Sequence, residues 1–184
     1  MDPAVAPDPG AVPADAAPDD RRRVAAELHQ RLLARGETLA VAESLTGGGL
    51  SDLVSGVPGV SATFRGGVVS YATEVKREVL GVRAETLREH GAVSAACAAE
   101  MAGAVRRLLG ASWGVSTTGV AGPDPQEGKP AGRVFVGVAG PDETPQVHEL
   151  TLTGSREEIR RATCDAALSA VLAAVVGLVP GPEG

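Results

Sequence analysis

The chain has 184 residues, 23 acidic against 17 basic side chains, and a formal net charge of −6. Aromatic residues make up 2% of it, and with the acidic balance this excludes an electropositive, base-stacking nucleic-acid surface. Two cysteines, Cys97 and Cys164, and three histidines, His29, His90 and His148, stand apart without ligand spacing, so neither a metal nor a disulfide is expected.

Residues 1–20, MDPAVAPDPGAVPADAAPDD, hold hardly any large apolar side chain and cannot offset their ordering entropy. They read as a disordered tail, and the absence of a basic start and an apolar core argues against a signal peptide. Residues 21–180 are expected to form one domain. The basic run Arg21-Arg22-Arg23 reads as a solvated helix start. From there Val24, Leu28 and Leu32 recur at i, i+4 up to Gly36, which predicts an amphipathic helix over Arg21–Arg35. Thr38–Ala42 reads as a short apolar strand, followed by a glycine turn and a helix over Leu50–Val54. A strand is predicted at Val68–Tyr71, entered through Gly66-Gly67, and short helices at Thr73–Leu80 and Ala84–His90.

Ser94 is a good N-cap for a helix over Ala95–Leu109, closed by Gly110. Trp113–Thr117 is the next strand. Val134–Val138 and Gln146–Leu152 read as a strand pair joined across Gly140-Pro141-Asp142. Ser155 and Glu158 form a capping box that opens the last helix. Its apolar stretch, Ala166–Val179, is shorter than the ~20 residues a membrane span needs, so a buried helix is expected, with a subunit interface as the second reading. Alternating helices and strands followed by an antiparallel pair predict an α/β fold, a three-layer α/β/α arrangement with a mixed central sheet.

The polar segments after Ala42, Tyr71 and Thr117 all begin at strand C-termini, where ligands of such sheets bind. The first, Glu43-Ser44-Leu45-Thr46-Gly47-Gly48, places hydroxyls and backbone N–H groups at a helix start, which favours an anion such as phosphate. The second brings Tyr71 and Lys76 five residues apart. Lys76 is one of two lysines in a chain that otherwise uses arginine, and a lysine can lose its proton where an arginine cannot. Ser61, in Gly59-Val60-Ser61-Ala62, is a candidate nucleophile or a plain turn serine, and Ser44 is a second candidate nucleophile. Thr118 and Gly119 are placed to line the site. Arg156 stands in the first turn of a helix, against the helix dipole, which suggests anion binding.

The segments AESLTGGGLSDLVSGVPGVSATFRGGVVSYATEVKREVLGV, HGAVSAACAAEMAGAV and TTGVAGPDPQEGKPAGRVFVGVAG together resemble the CinA C-terminal domain family, the nicotinamide-nucleotide amidases. The resemblance extends from about Glu27 to Leu178. It departs from the family pattern at Leu45, where cysteine is frequent, at Thr73, where asparagine is usual, and at Arg133, where threonine is usual. It implies a cytoplasmic enzyme of pyridine-nucleotide salvage that converts nicotinamide mononucleotide to nicotinic acid mononucleotide and ammonia by serine–lysine chemistry. Neither metal nor cofactor is implied.

The match marks Ser44, Ser61, Tyr71, Lys76, Thr118 and Arg156 as site positions. Ser61 is the expected nucleophile, Lys76 the general base and Tyr71 a proton relay, with Ser44 either binding phosphate alongside the glycine turn or serving as the nucleophile in place of Ser61. Thr46, Gly47 and Gly48 are expected to hold phosphate, Thr118 and Gly119 to steady the substrate, and Arg156 to bind an anion. The expected partner is a pyridine mononucleotide, with no nucleic acid and no membrane, and the protein is expected to be a homo-oligomer. A non-catalytic nucleotide-binding module of the same fold is the alternative.

Overall fold

The computed structural model describes residues 20–141 and 144–177. The tail expected at the N-terminus therefore lies, up to residue 19, outside the described residues, as do Asp142 of the expected hairpin turn and residues 178–180. The elements in order are α1 (Asp20–Arg35), β1 (Leu39–Glu43), α2 (Gly49–Ser55), a 3-10 turn at Val60–Ala62, β2 (Phe64–Val69), α3 (Thr73–Glu78), α4 (Ala84–His90), α5 (Ala95–Leu108), β3 (Trp113–Gly119), β4 (Arg133–Ala139), β5 (Gln146–Thr151) and α6 (Arg156–Val176).

The sheet has the order β2-β1-β3-β4-β5. β1 runs parallel to both β2 and β3, while β3, β4 and β5 pair antiparallel, so the sheet is mixed. Helices cover both faces. Leu39 and Val41 join one apolar cluster with Leu28 and Leu32 of α1 and with Leu168 and Val171 of α6. The alternate residues Ala40 and Ala42 face a second cluster, built on Cys97, Met101 and Val105 of α5. This period-2 division of an unbroken apolar strand is what a sheet buried on both faces requires. Each fully buried leucine of the α1 stripe contributes about 1.5–3 kcal/mol relative to exposure.

The caps form at the serines that the sequence pointed to. Ser94 Oγ accepts from Cys97 N at 3.1 Å, and Ser155 and Glu158 close a reciprocal capping box. Strand β2 departs from expectation. It begins at Phe64 and ends at Val69, so Gly66 and Gly67 lie inside it rather than before it. Gly67 pairs with Val41, and a Cβ there would come within 2.6 Å of Val41 Cγ2 and Ser51 Oγ. Close packing against β1 and α2, rather than a chain break, accounts for this glycine.

Alanine normally improves a strand over glycine. Here Gly67→Ala is expected to destabilise the protein by about 1–3 kcal/mol through overpacking, read as a lower urea midpoint at unchanged slope. A neutral or stabilising result would show that α2 can move off β2.

Candidate active site

Strands β2, β1 and β3 are parallel neighbours, and the segments leaving their C-terminal ends meet around one cavity of about 510 Å³. Ser44 and Leu45 enter it after β1, Tyr71 and Lys76 after β2, and Thr118 and Gly119 at the end of β3. Ala92 and Val93 before α5, the loop from Val120 to Gln126 and Arg156 of α6 complete the lining.

Lys76 lies in α3 and is 2% exposed. Its Nζ is 2.9 Å from Ser44 Oγ, 2.7 Å from the Ser70 carbonyl oxygen and 3.4 Å from that of Tyr71. A neutral amine has two N–H donors and one lone pair. As an ammonium the group donates to all three oxygens, Ser44 Oγ included; in the neutral form, donation to the two carbonyls leaves the lone pair for the Ser44 hydroxyl. Burial lowers the Lys76 pKa from its ordinary value, while the charges of Cys97, Glu127 and Glu74 pull it back up. The Cys97 thiol is itself pushed up to about 12 by burial, so it carries no charge near neutrality. Desolvation is the largest of these influences, so the amine gives up its proton more readily than an exposed lysine does, the direction a base needs.

Ser61 does not belong to this group, which corrects the expectation that it meets Lys76. It is exposed, in the 3-10 turn that precedes β2, whereas Lys76 follows the C-terminal end of that strand. Six residues of extended chain, about 20 Å, separate the two ends of β2. Ser44 occupies the place beside the amine.

The glycine turn also differs from its expected role. Glu43, the last residue of β1, is fully buried and turns its carboxylate into the start of α2. Its oxygens accept from Gly48 N at 3.0 Å, Leu50 N at 3.0 Å, Ser51 N at 2.8 Å and Ser51 Oγ at 2.6 Å. Gly48 has φ 98°, a left-handed conformation that an L side chain adopts only with strain, and it brings the N–H groups round to the carboxylate. The donors that would have held a phosphate already hold Glu43. Gly47 N bonds to Ser44 O at 3.1 Å, and Thr46 Oγ1 lies 2.8 Å from Thr117 Oγ1. Thr46, Gly47 and Gly48 thus shape the Ser44 loop from within and do not line the cavity that holds Lys76.

Tyr71 is 57% exposed, and its hydroxyl accepts from Arg156 Nη2 at 2.7 Å, so it is not on the Lys76 amine. Arg156 Nη1 donates to Gly122 O at 2.8 Å. The arginine thereby ties the segment after β2 to the loop after β3, which accounts for a cation in the first turn of α6. Thr118 Oγ1 donates to Ala92 O at 2.6 Å, and Gly119 lines the cavity beside it.

Sequence reasoning missed Glu127, whose carboxylate accepts from Ala92 N at 3.1 Å and Val93 N at 3.0 Å and fixes two residues of the cavity wall. Glu127 has φ 51° in a loop rich in Pro and Gly, and nothing in its local pattern points to partners 34 and 35 residues away. Glu43 did leave a signal, a carboxylate ending an otherwise apolar strand. Among the described residues no group of three or more His, Cys, Asp or Glu could hold a metal, and no helix is long and apolar enough to cross a membrane.

The model of the CinA C-terminal domain matches residues 21–175, and the chain belongs to that family. A CinA-like protein of Frankia casuarinae is 52% identical over 147 residues, covering 80% of this chain and 34% of the relative. The chain thus spans about a third of the length of that curated relative. Among solved structures, the competence damage-inducible protein A from Klebsiella pneumoniae superposes with a TM-score of 0.82 at 35% identity, covering 85% of this chain and 97% of that one. The competence/damage inducible protein CihA from Agrobacterium tumefaciens gives 0.82 at 33% identity, covering 86% and 98%.

The buried Glu43 carboxylate makes a direct prediction. Glu43→Gln replaces one acceptor oxygen by an NH₂ that faces backbone donors, and is expected to cost at least about 2 kcal/mol of stability. Urea unfolding measures it, and an unchanged midpoint would show that the α2 start does not depend on the carboxylate.

Proposed function

We propose that the protein is an amidase acting on the carboxamide of nicotinamide mononucleotide, with Ser44 as nucleophile and Lys76 as general base. The observation that carries this reading is the 2.9 Å contact between a buried amine and Ser44 Oγ, at the edge of a cavity at the strand C-termini. Ser44 Oγ attacks the carboxamide carbon as its proton passes to Lys76 Nζ. The tetrahedral oxyanion meets backbone N–H groups of the cavity wall, of which that of Leu45, directly after the nucleophile, is the first choice. Lys76 returns the proton to the departing nitrogen, ammonia leaves, and an ester on Ser44 remains. Water then attacks this ester, again giving its proton to Lys76, and nicotinic acid mononucleotide is released as Ser44 regains its proton.

Arg156 and Tyr71 stand at the exposed rim, where a guanidinium suits the substrate phosphate better than the glycine turn does. This assignment rests on Arg156 lining the cavity with three further N–H donors beyond the two it spends on Tyr71 and Gly122. Thr118 and Gly119 shape the wall against which the ring lies.

Ammonia release from nicotinamide mononucleotide in a coupled assay tests the reading. Ser44→Ala and Lys76→Arg should each lower kcat by about a thousandfold or more while the fold is retained by circular dichroism, because arginine cannot serve as a base. Ser61→Ala should leave kcat roughly unchanged. Loss of turnover in Ser61→Ala with retention in Ser44→Ala would reverse the assignment, and no ammonia from the wild-type chain would leave a binding module.

The pH dependence has a defined sign. The base acts when neutral, so kcat/KM rises with pH as Lys76 loses its proton, with a midpoint below the ordinary lysine value of 10.5 because burial lowers it. A rate limb with its midpoint at or above 10.5 would contradict the role of Lys76.

A further inference from the structure

A second cavity, of about 420 Å³, opens on the helical face between α1, α2 and α6. Four arginines line it, Arg21 and Arg22 from the first turn of α1 and Arg160 and Arg161 from α6, against two carboxylates, Asp52 and Glu157. In a chain of net charge −6, the wall of this cavity is net positive. Two of the arginines stand at a helix N-terminus, where the dipole disfavours a cation, so helix stability does not explain them. Arg21 lies 3.5 Å from Asp165, and Arg22 and Arg161 are exposed.

Arg160 connects this cavity to the candidate active site. Its Nε donates to Leu45 O at 3.0 Å and its Nη2 to Thr46 O at 2.7 Å, the two carbonyls directly after Ser44. Leu45 lines the cavity that holds Lys76 and Thr46 lines the arginine cavity, so the two flank a single turn. The guanidinium uses two of its five N–H donors on this turn and retains three.

We propose that the arginine cavity is a binding site for a small molecule carrying two or more linked phosphoryl groups. Guanidinium groups recognise phosphate oxygens bidentately, and several of them around one cavity match the charge of a diphosphate better than that of a single carboxylate. The volume lies within the range of small-molecule sites. Such a ligand would bear on the Ser44 loop through Arg160, in addition to any substrate bound beside Lys76. The proposal stands on this cavity alone and holds whichever amide the other site hydrolyses.

Calorimetric titration of the full chain with sodium pyrophosphate tests it, with inorganic phosphate and sodium chloride of matched ionic strength as comparators. Saturable pyrophosphate binding is expected, tighter than that of inorganic phosphate and weakened by added salt. Arg22→Ala combined with Arg161→Ala should weaken it by about tenfold or more, with the unfolding midpoint kept close to that of the wild type. Arg156→Ala should leave it unchanged. Absence of saturable binding would overturn the proposal, as would binding that survives the double substitution. Binding abolished by Arg156→Ala would place the anion beside Lys76 and overturn it equally.

Discussion

The amine of Lys76, 2% exposed and held among two carbonyl oxygens and the Ser44 hydroxyl, has no charged group among its hydrogen-bond partners. An ammonium ion in that position would carry a desolvation cost that three neutral acceptors only partly offset. A neutral amine can use the same positions, with its two donors on the carbonyls and its lone pair towards the Ser44 hydroxyl. Everything else at the strand ends supports that contact. α3 sets the lysine against the Ser70 and Tyr71 carbonyls just past β2, and the bond from Ser44 N to Thr117 O at 2.9 Å fixes the serine against β3. A buried amine whose only side-chain partner is a serine is costly to maintain for packing alone, and this is the physical reason to read it as chemistry.

Glu43 supplies the complementary constraint. A serine at a strand end needs a turn that holds it at one angle, and the turn here is closed by a carboxylate that the chain itself provides. With the α2 N–H groups taken by Glu43, the loop is rigid and electrically satisfied before any substrate arrives. Arg160 grips the outer side of the same turn through the Leu45 and Thr46 carbonyls. In the proposed reading, anion recognition falls instead to arginines, Arg156 at the rim of one cavity and the α1–α6 set around the other. A glycine-rich strand-to-helix turn is thus not by itself a phosphate site. The deciding question is which acceptor already holds its donors.

What could be read in the sequence depended on the range of the interaction. Ser94 and Ser155 were legible as caps because a cap is a contact between residues three apart. The three-layer arrangement was legible because an apolar strand between amphipathic helices leaves few other ways to bury both faces. β2 was misplaced because Gly66-Gly67 carries the same local signal whether it breaks a strand or makes room for Val41. Ser44 and Ser61 could not be separated, since each is a serine near glycines, and only the path of β2 decides which one reaches Lys76. Glu127, clasping Ala92 and Val93 from across the loop, was not legible at all.

The charge state of Lys76 is the point on which the account turns, and the chain offers a favourable means of observing it, since it contains only two lysines. Carbon-13 labelling of lysine side chains gives two resonances to follow by NMR across a pH titration, assigned by Lys129→Arg. The account predicts that the Lys76 resonance titrates with its midpoint below the ordinary lysine value of 10.5, as its burial requires. A midpoint at or above 10.5 would mean that the buried amine is held as an ammonium, and Lys76 could not then act as the base for Ser44.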